Sequence, residues 1–467
     1  MKFENLQAFA GKFPEYTELR AQENSSAGLS MLNGNIVNNS RNAQSGVCAR
    51  AFKDGVWGFA STPETSAPAI EAILERAVLN ARFLAGKAGQ GAAQGAAQGA
   101  ALPSRPGSAD RNLATNKPRL ERKDLIAFVK TLDEYCVRQY PWLSSRSINL
   151  QCLDMEKTLV TSDGTSAYSL IPRTILYISL TKIEGNDPID LYEVYGGRGQ
   201  FEDVFQKPES LYGQIDILAN KLEHKAKGVY AKAGTFDAVL APDIAGILAH
   251  EAIGHTVEAD LVLGGSVAAD MMGKQVASPL ISMVDYANTA MGKTCPVPLW
   301  IDDEGILAQD AVLIDKGILT SYMHNKHSAQ HFGTAPTGNA RAYGFYDEPL
   351  IRMRNTAILP GTSKLQDMIA SIDKGYYFMR SSNGQADSTG EFMFGVVMGY
   401  EIVNGKIADA LRDTTISGVA FDMLKSVSMV SDDMEWACGG MCGKKQPIPT
   451  GMGGPAIRCR INVGGRV

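Results

Sequence analysis

The sequence predicts an α+β fold, because strand-like and helix-like stretches come in separate blocks rather than in strict alternation. Two further observations support that class. Asn33-Gly34 and Asp54-Gly55 each interrupt alternating stretches, as tight hairpin turns do. Beyond Ser278 the chain breaks into many short strand-like runs divided by turn residues. With 467 residues, 45% of them hydrophobic, the chain exceeds what one core ordinarily serves. Changes of pattern divide it into an N-terminal α+β segment (1–85), a flexible low-complexity insertion (86–118), a middle α+β segment (119–227) and a strand-rich C-terminal domain (228–467).

In chain order, Leu6 to Phe13 is helix-like, and the two hairpin turns follow it. Ser66 to Leu84 reads as a helix with Ile70, Ile73, Leu74 and Ala77 on one stripe. From Gly86 to Pro118 the composition turns simple, with Gly-Ala-Ala-Gln repeating over Gly91 to Gly99, and nothing large and apolar is present to dock it. A helix over Glu121 to Gln139 precedes paired strands over Asn149 to Leu180, which turn at Ser162-Asp163-Gly164-Thr165. A long helix is expected over Glu202 to Lys227, then a strand over Phe236 to Leu240. Pro242 and Asp243 open the next helix by the usual start signals. Gly264 to Ser278, with three glycines and paired methionines, reads as a mobile flap.

Composition narrows the function. Lys and Arg total 45 against 50 Asp and Glu, a net charge of −5 with no basic stripe, which speaks against nucleic acid and anionic lipid as partners. No run approaches the roughly 20 apolar residues that span a bilayer. Met1 to Tyr16 lacks the basic-then-apolar order of a secretory signal, so a cytoplasmic location is expected. The 7 cysteines are too scattered for a disulfide framework, and reduced thiols are then available for metal.

The chemistry concentrates in His250-Glu251-Ala252-Ile253-Gly254-His255. Two imidazoles flank a carboxylate, one residue further apart than in the common HExxH arrangement. On a regular helix a four-residue separation turns about 40°, whereas five residues turn about 140°. The two rings therefore share an ion only if the helix widens into a π-bulge or stops near Gly254, a residue tolerant of left-handed dihedrals. Ile244, Ile247, Leu248 and Glu251 fall on one stripe, which directs Glu251 toward an apolar side, where it would serve a metal-bound water as proton acceptor. Catalytic zinc takes a third protein ligand. Candidates are Cys438, Cys442 and Cys459, the carboxylates Glu258 and Asp260, and His324, His327 and His331, which would share one side of a helix. Cys442 stands out between Gly440 and Gly443, where small neighbours let a thiolate approach an ion.

With these residues the chain resembles the TldD/PmbA family of metallopeptidases, and within it the metal-binding TldD branch. The likeness spans nearly the whole chain. It rests on the hexapeptide followed by Glu258 and Asp260, on Ile301-Asp302-Asp303-Glu304-Gly305, on Pro336-Thr337-Gly338-Asn339 and on the tail from Cys442-Gly443-Lys444 to Gly453. The resemblance implies Zn2+ held by His250, His255 and Cys442, with Glu251 catalytic. It also implies two intertwined mixed halves and cleavage of small or unfolded peptides in an enclosed cleft. A dimer is implied too, formed with itself or with a PmbA-type subunit lacking the metal motif. The 86–118 insertion is not part of the resemblance. The second functional reading is a non-catalytic scaffold or regulatory partner with a structural zinc, which would close with four protein ligands.

Overall fold

Strands near both ends of the N-terminal half pair into one sheet. The computed structural model describes residues 6–13, 15–88, 102–437 and 439–465. Strands β1 (Tyr16–Leu32), β2 (Asn35–Lys53) and β3 (Val56–Thr62) form successive hairpins, and β1 also pairs antiparallel with β5 (Ser145–Thr161). Strand β6 (Ser166–Glu184) continues the order and pairs with β7 (Asp187–Arg198). Both predicted hairpin turns carry two consecutive residues with positive φ, 48° and 80° at Asn33-Gly34 and 46° and 86° at Asp54-Gly55, as a twisted two-residue turn requires.

Helix α1 (Ala67–Ala88) covers one end of this sheet, where Ile70, Ile73, Leu74 and Ala77 meet Leu19, Val47 and Ala49. Gly58 on β3 lets it approach, because a Cβ there would collide with the α1 backbone at Ala77 and Ala81. Helix α2 (Arg122–Gln139) covers the other end. The expected long helix over Glu202 to Lys227 is instead broken into α3 (Phe201–Val204), a 3-10 turn (Pro208–Leu211) and α4 (Tyr212–Ala226). Pro208 has no amide hydrogen and forces Lys207 into extended backbone, with φ −149° and ψ 150°.

The insertion is also corrected in part. Residues 89–101 lie outside the described residues, but 102–118 do not form a loose excursion: β4 (Ser108–Asn112) pairs in parallel with the start of β6, and Leu307 donates a backbone hydrogen bond of 3.1 Å to Arg105. A polar segment without a core of its own is held there by sheet hydrogen bonds.

The C-terminal half contains a closed ring of strands. Lys374–Ala386 pairs with β8 (Gly234–Leu240), which pairs with Ile457–Val463, then Thr414–Val419, then Glu391–Val403, which returns to Lys374–Ala386. A second sheet, centred on Met283–Tyr286, Asn355–Ile358 and Gly451–Gly454, lies beside this barrel. Helix α5 (Pro242–Leu248) runs between the two, with Ile244, Ala245 and Leu248 in the largest core.

The two halves meet through buried charges as well as through an apolar cluster in which Val397, Met398 and Ala410 join Leu176, Leu191 and Leu218. Arg50 of β2 reaches Glu304 at 2.5 Å, and Lys157 of β5 reaches Asp303 at 2.6 Å, so the Ile301-to-Gly305 motif is a joint. The predicted flap over Gly264 to Ser278 is likewise packed: Ala268, Val276 and Ala277 enter the core, and Val267 and Ala268 bond to Ser388 and Tyr322. Its alanines and valines supplied apolar surface that the glycines concealed. No helix of the described residues is long and apolar enough to cross a membrane.

Candidate metal centre

After α5 the chain does not continue as α-helix. Residues Ala249–Gly254 form a π-helical turn, followed by a 3-10 turn over His255–Val257. The wider turn rotates less per residue, so a five-residue separation brings two side chains to one side. The rings of His250 and His255 stand 5.2 Å apart, nearly perpendicular at 81°. The distortion expected near Gly254 is present, but not through a left-handed residue. Gly254 has φ −54°, and its lack of a side chain serves packing, because a Cβ would strike the buried Met353 sulfur and lie 3.1 Å from the Ala249 carbonyl oxygen.

Cys442 arrives from the tail, on a two-residue strand Met441–Cys442 paired with Ile448–Pro449. Its Sγ lies 3.3 Å from His255 Nε2. Donor atoms of His250, His255 and Cys442 all fall within 4.8 Å of one another, the grouping of a metal site. His250 is fully buried, and neither ring nitrogen has a hydrogen-bond partner of good geometry. Buried imidazole nitrogens normally find partners, so this orphaned pair beside a thiol fits a bound cation.

Electrostatics prepare the sulfur. Burial pushes the Cys442 thiol up, but the His250 and His255 rings outweigh it and bring it down to about 3. The thiolate is the ligand form. Burial pulls His255 down, yet the carboxylate of Glu258 and the Cys442 sulfur raise it to about 10. Metal binding here would displace that proton.

The other described candidates take different places. Glu258 and Asp260 stand behind the cluster: Glu258 Oε2 accepts from His255 Nδ1 at 2.7 Å, and Lys444 Nζ reaches Glu258 at 3.2 Å and Asp260 at 2.7 Å. The pattern of His324, His327 and His331 on one helix side is not borne out. His324 precedes the helix Lys326–Phe332 and is buried, whereas His327 and His331 are exposed, because Asn325 caps the helix and starts it two residues after His324. Cys459 is buried in the barrel strand, its thiol pushed up to about 12 by burial. Cys438 lies outside the described residues.

Glu251 is also corrected. The stripe directed it toward an apolar side, but the π turn shifts it out of register, and it is only partly buried, with Oε2 3.6 Å from His255 Nε2. It lines two clefts that meet there. One, of about 510 Å3, is walled by Tyr192, Asp243, Arg380 and Trp436. The other, of about 1090 Å3, is walled by His255, Gln385, Asp387 and Lys444. Gly384 and Met441 border both. Sequence reasoning missed Arg380 and its partners: it pairs with Asp243 at 3.0 Å and Glu193 at 2.9 Å, tying three segments of the first cleft. Nothing in local pattern marks such a contact.

Residues 233–465 match the PmbA/TldA metallopeptidase C-terminal domain, and residues 17–81 match PmbA/TldA metallopeptidase domain 1. A zinc metalloprotease TldD homolog of Saccharolobus solfataricus is 32% identical over 70% of this chain and 73% of its own. The chain belongs to the TldD/PmbA family of metallopeptidases. A relative from Methanothermobacter thermautotrophicus, named metalloprotease, is 29% identical over 96% of this chain and 94% of its own. Among solved structures of the TldD/PmbA fold, TldE of Thermococcus kodakarensis superposes with a TM-score of 0.76, covering 99% of both chains at 17% identity. A protein of Thermotoga maritima described as a modulator of a DNA gyrase gives 0.77 at 20% identity, with 98% of both chains covered. At such identities the likeness to the two structures is one of fold.

Proposed function

We propose that the chain is a zinc-dependent peptidase for small or unfolded peptides, with His250, His255 and Cys442 as ligands and Glu251 as general base. The carrying observation is the convergence of three donors within 4.8 Å, with the Glu251 carboxylate beside them at the junction of two clefts. Three protein ligands among the described residues leave a coordination position for substrate or water, as a catalytic site requires. Zinc bound there supplies Lewis-acid polarisation of a scissile carbonyl and makes water a nucleophile near neutral pH. Glu251 takes the proton of the attacking water and delivers it to the leaving amine.

An extended peptide lies along the wall formed by Lys374–Ala386. That strand pairs with β8 only as far as Phe378 and then runs on past the cleft through Gly384 and Gln385. Main-chain hydrogen bonds to such a wall recognise extended chains of many sequences, which folded proteins do not offer. The resemblance to the family supports action as a dimer, with itself or with a PmbA-type subunit.

Replacing Glu251 by Gln tests the assignment. Zinc content, measured by mass spectrometry of metals, should stay near that of the unaltered chain, while peptide hydrolysis falls by about 100-fold or more. Unchanged turnover in the Gln variant would end the general-base role.

A further inference from the structure

The loop carrying Cys442 has little reason to hold one shape by itself. Gly440 and Gly443 flank the cysteine, Lys445 has φ +56°, and its strand pairing extends over only two residue pairs. Yet three alternate carbonyls of the loop converge on one buried side chain. Arg352 donates from Nη2 to the Cys442 carbonyl at 2.8 Å, and from Nη1 to Gln446 at 2.7 Å and Lys444 at 3.1 Å. The guanidinium is fully buried and makes no ion pair with a carboxylate among the described residues. A buried charge left without a counter-ion is costly unless hydrogen bonds offset it, and here the loop carbonyls take Nη1 and Nη2 while the buried Nε has no partner.

The neighbouring residue touches the other half of the centre. Met353 packs against Gly254 in the π turn between the two histidines, and the Ile351 carbonyl accepts from Lys444 Nζ at 3.0 Å. One three-residue stretch thus touches both the histidine turn and the cysteine loop, whose ligands are 187 residues apart in sequence.

We propose that Arg352 is a positioning residue for the metal centre: by gathering the Cys442, Lys444 and Gln446 carbonyls it sets the Cys442 sulfur at its distance from His250 and His255. This rests on the ligand assignment made above. The planar fork matters, because three carbonyls spread around the loop are met by two guanidinium nitrogens in fixed geometry, which a lysine ammonium does not reproduce.

Arg352→Met and the milder Arg352→Lys are made in the full chain, alone and combined with Cys442→Ser. Zinc affinity is read by competition with a chromophoric chelator, and sulfur coordination by the thiolate-to-cobalt charge-transfer band after Co2+ loading. Each Arg352 variant should weaken zinc by about tenfold or more, within the range for residues that orient a ligand, and diminish the cobalt band. In the Cys442→Ser background the same changes should add little, because the sulfur they place is gone. If Arg352→Met does not fold, Arg352→Lys carries the whole cycle. Unaltered zinc affinity and cobalt spectrum in a folded Arg352 variant, or an equal loss with and without the sulfur, overturns the positioning role. Unaltered zinc affinity in Cys442→Ser alone overturns the ligand assignment instead.

Discussion

Glu258 Oε2 accepts a hydrogen bond from His255 Nδ1 at 2.7 Å, and by doing so leaves His255 Nε2 as the nitrogen that faces Cys442. Glu258 is fully buried, and Lys444 offsets its charge from 3.2 Å. A carboxylate behind a ligating imidazole sets its tautomer and strengthens it as a donor to metal.

Replacing Glu258 by Gln should therefore weaken zinc by about 10- to 100-fold while leaving the fold intact. Competition titration against a chromophoric chelator measures it, with circular dichroism as the control. Affinity within a factor of two of the unaltered chain would show that Glu258 serves only Lys444.

Gly254 yields a stability prediction. Its φ of −54° is helical, so backbone preference alone would make alanine the better residue there. Packing against Met353 reverses that sign: Gly254→Ala should cost about 1–3 kcal/mol, as overfilled cores do. In a Met353→Ala background the same Gly254→Ala change should cost less than it does in the parent, measured as a double-mutant cycle by urea unfolding. A stabilised Gly254→Ala protein would contradict the packing argument.

His324 confers a pH dependence outside the metal cluster. Burial among Tyr322 and Phe332 pulls its ring down to about 4. Between pH 6.5 and 4 the unfolded chain binds a proton that the folded chain refuses, so stability rises with pH across that window and is lost as pH falls. The effect is on the order of 2–3 kcal/mol. In metal-free protein, His324→Gln should flatten the unfolding free energy between pH 6.5 and 4 relative to the parent. Parallel curves for the two would refute it.

Some features follow from a few neighbouring residues and could be read directly. The turns at Asn33-Gly34 and Asp54-Gly55, the start of α5 at Pro242 and the helical distortion between His250 and His255 all depend on dihedral preferences or on spacing within one turn. Glu202 to Lys227 reads as one helix because apolar periodicity persists across Pro208, although the helical backbone does not. The order of the 102–118 stretch comes from β6, a partner that simple composition does not reveal.

The sequence by itself determined the α+β class and a hexapeptide able to present two imidazoles to one ion, since both arise from short-range geometry. Only the tertiary structure decided which of the described thiols meets them, that Glu251 opens onto clefts, that Glu258 stands behind His255, and that Arg352 grips the cysteine loop. The physical reason is separation along the chain. His255 and Cys442 are 187 residues apart, and contacts over such distances are set by how sheets and cores pack around them, which no local preference encodes.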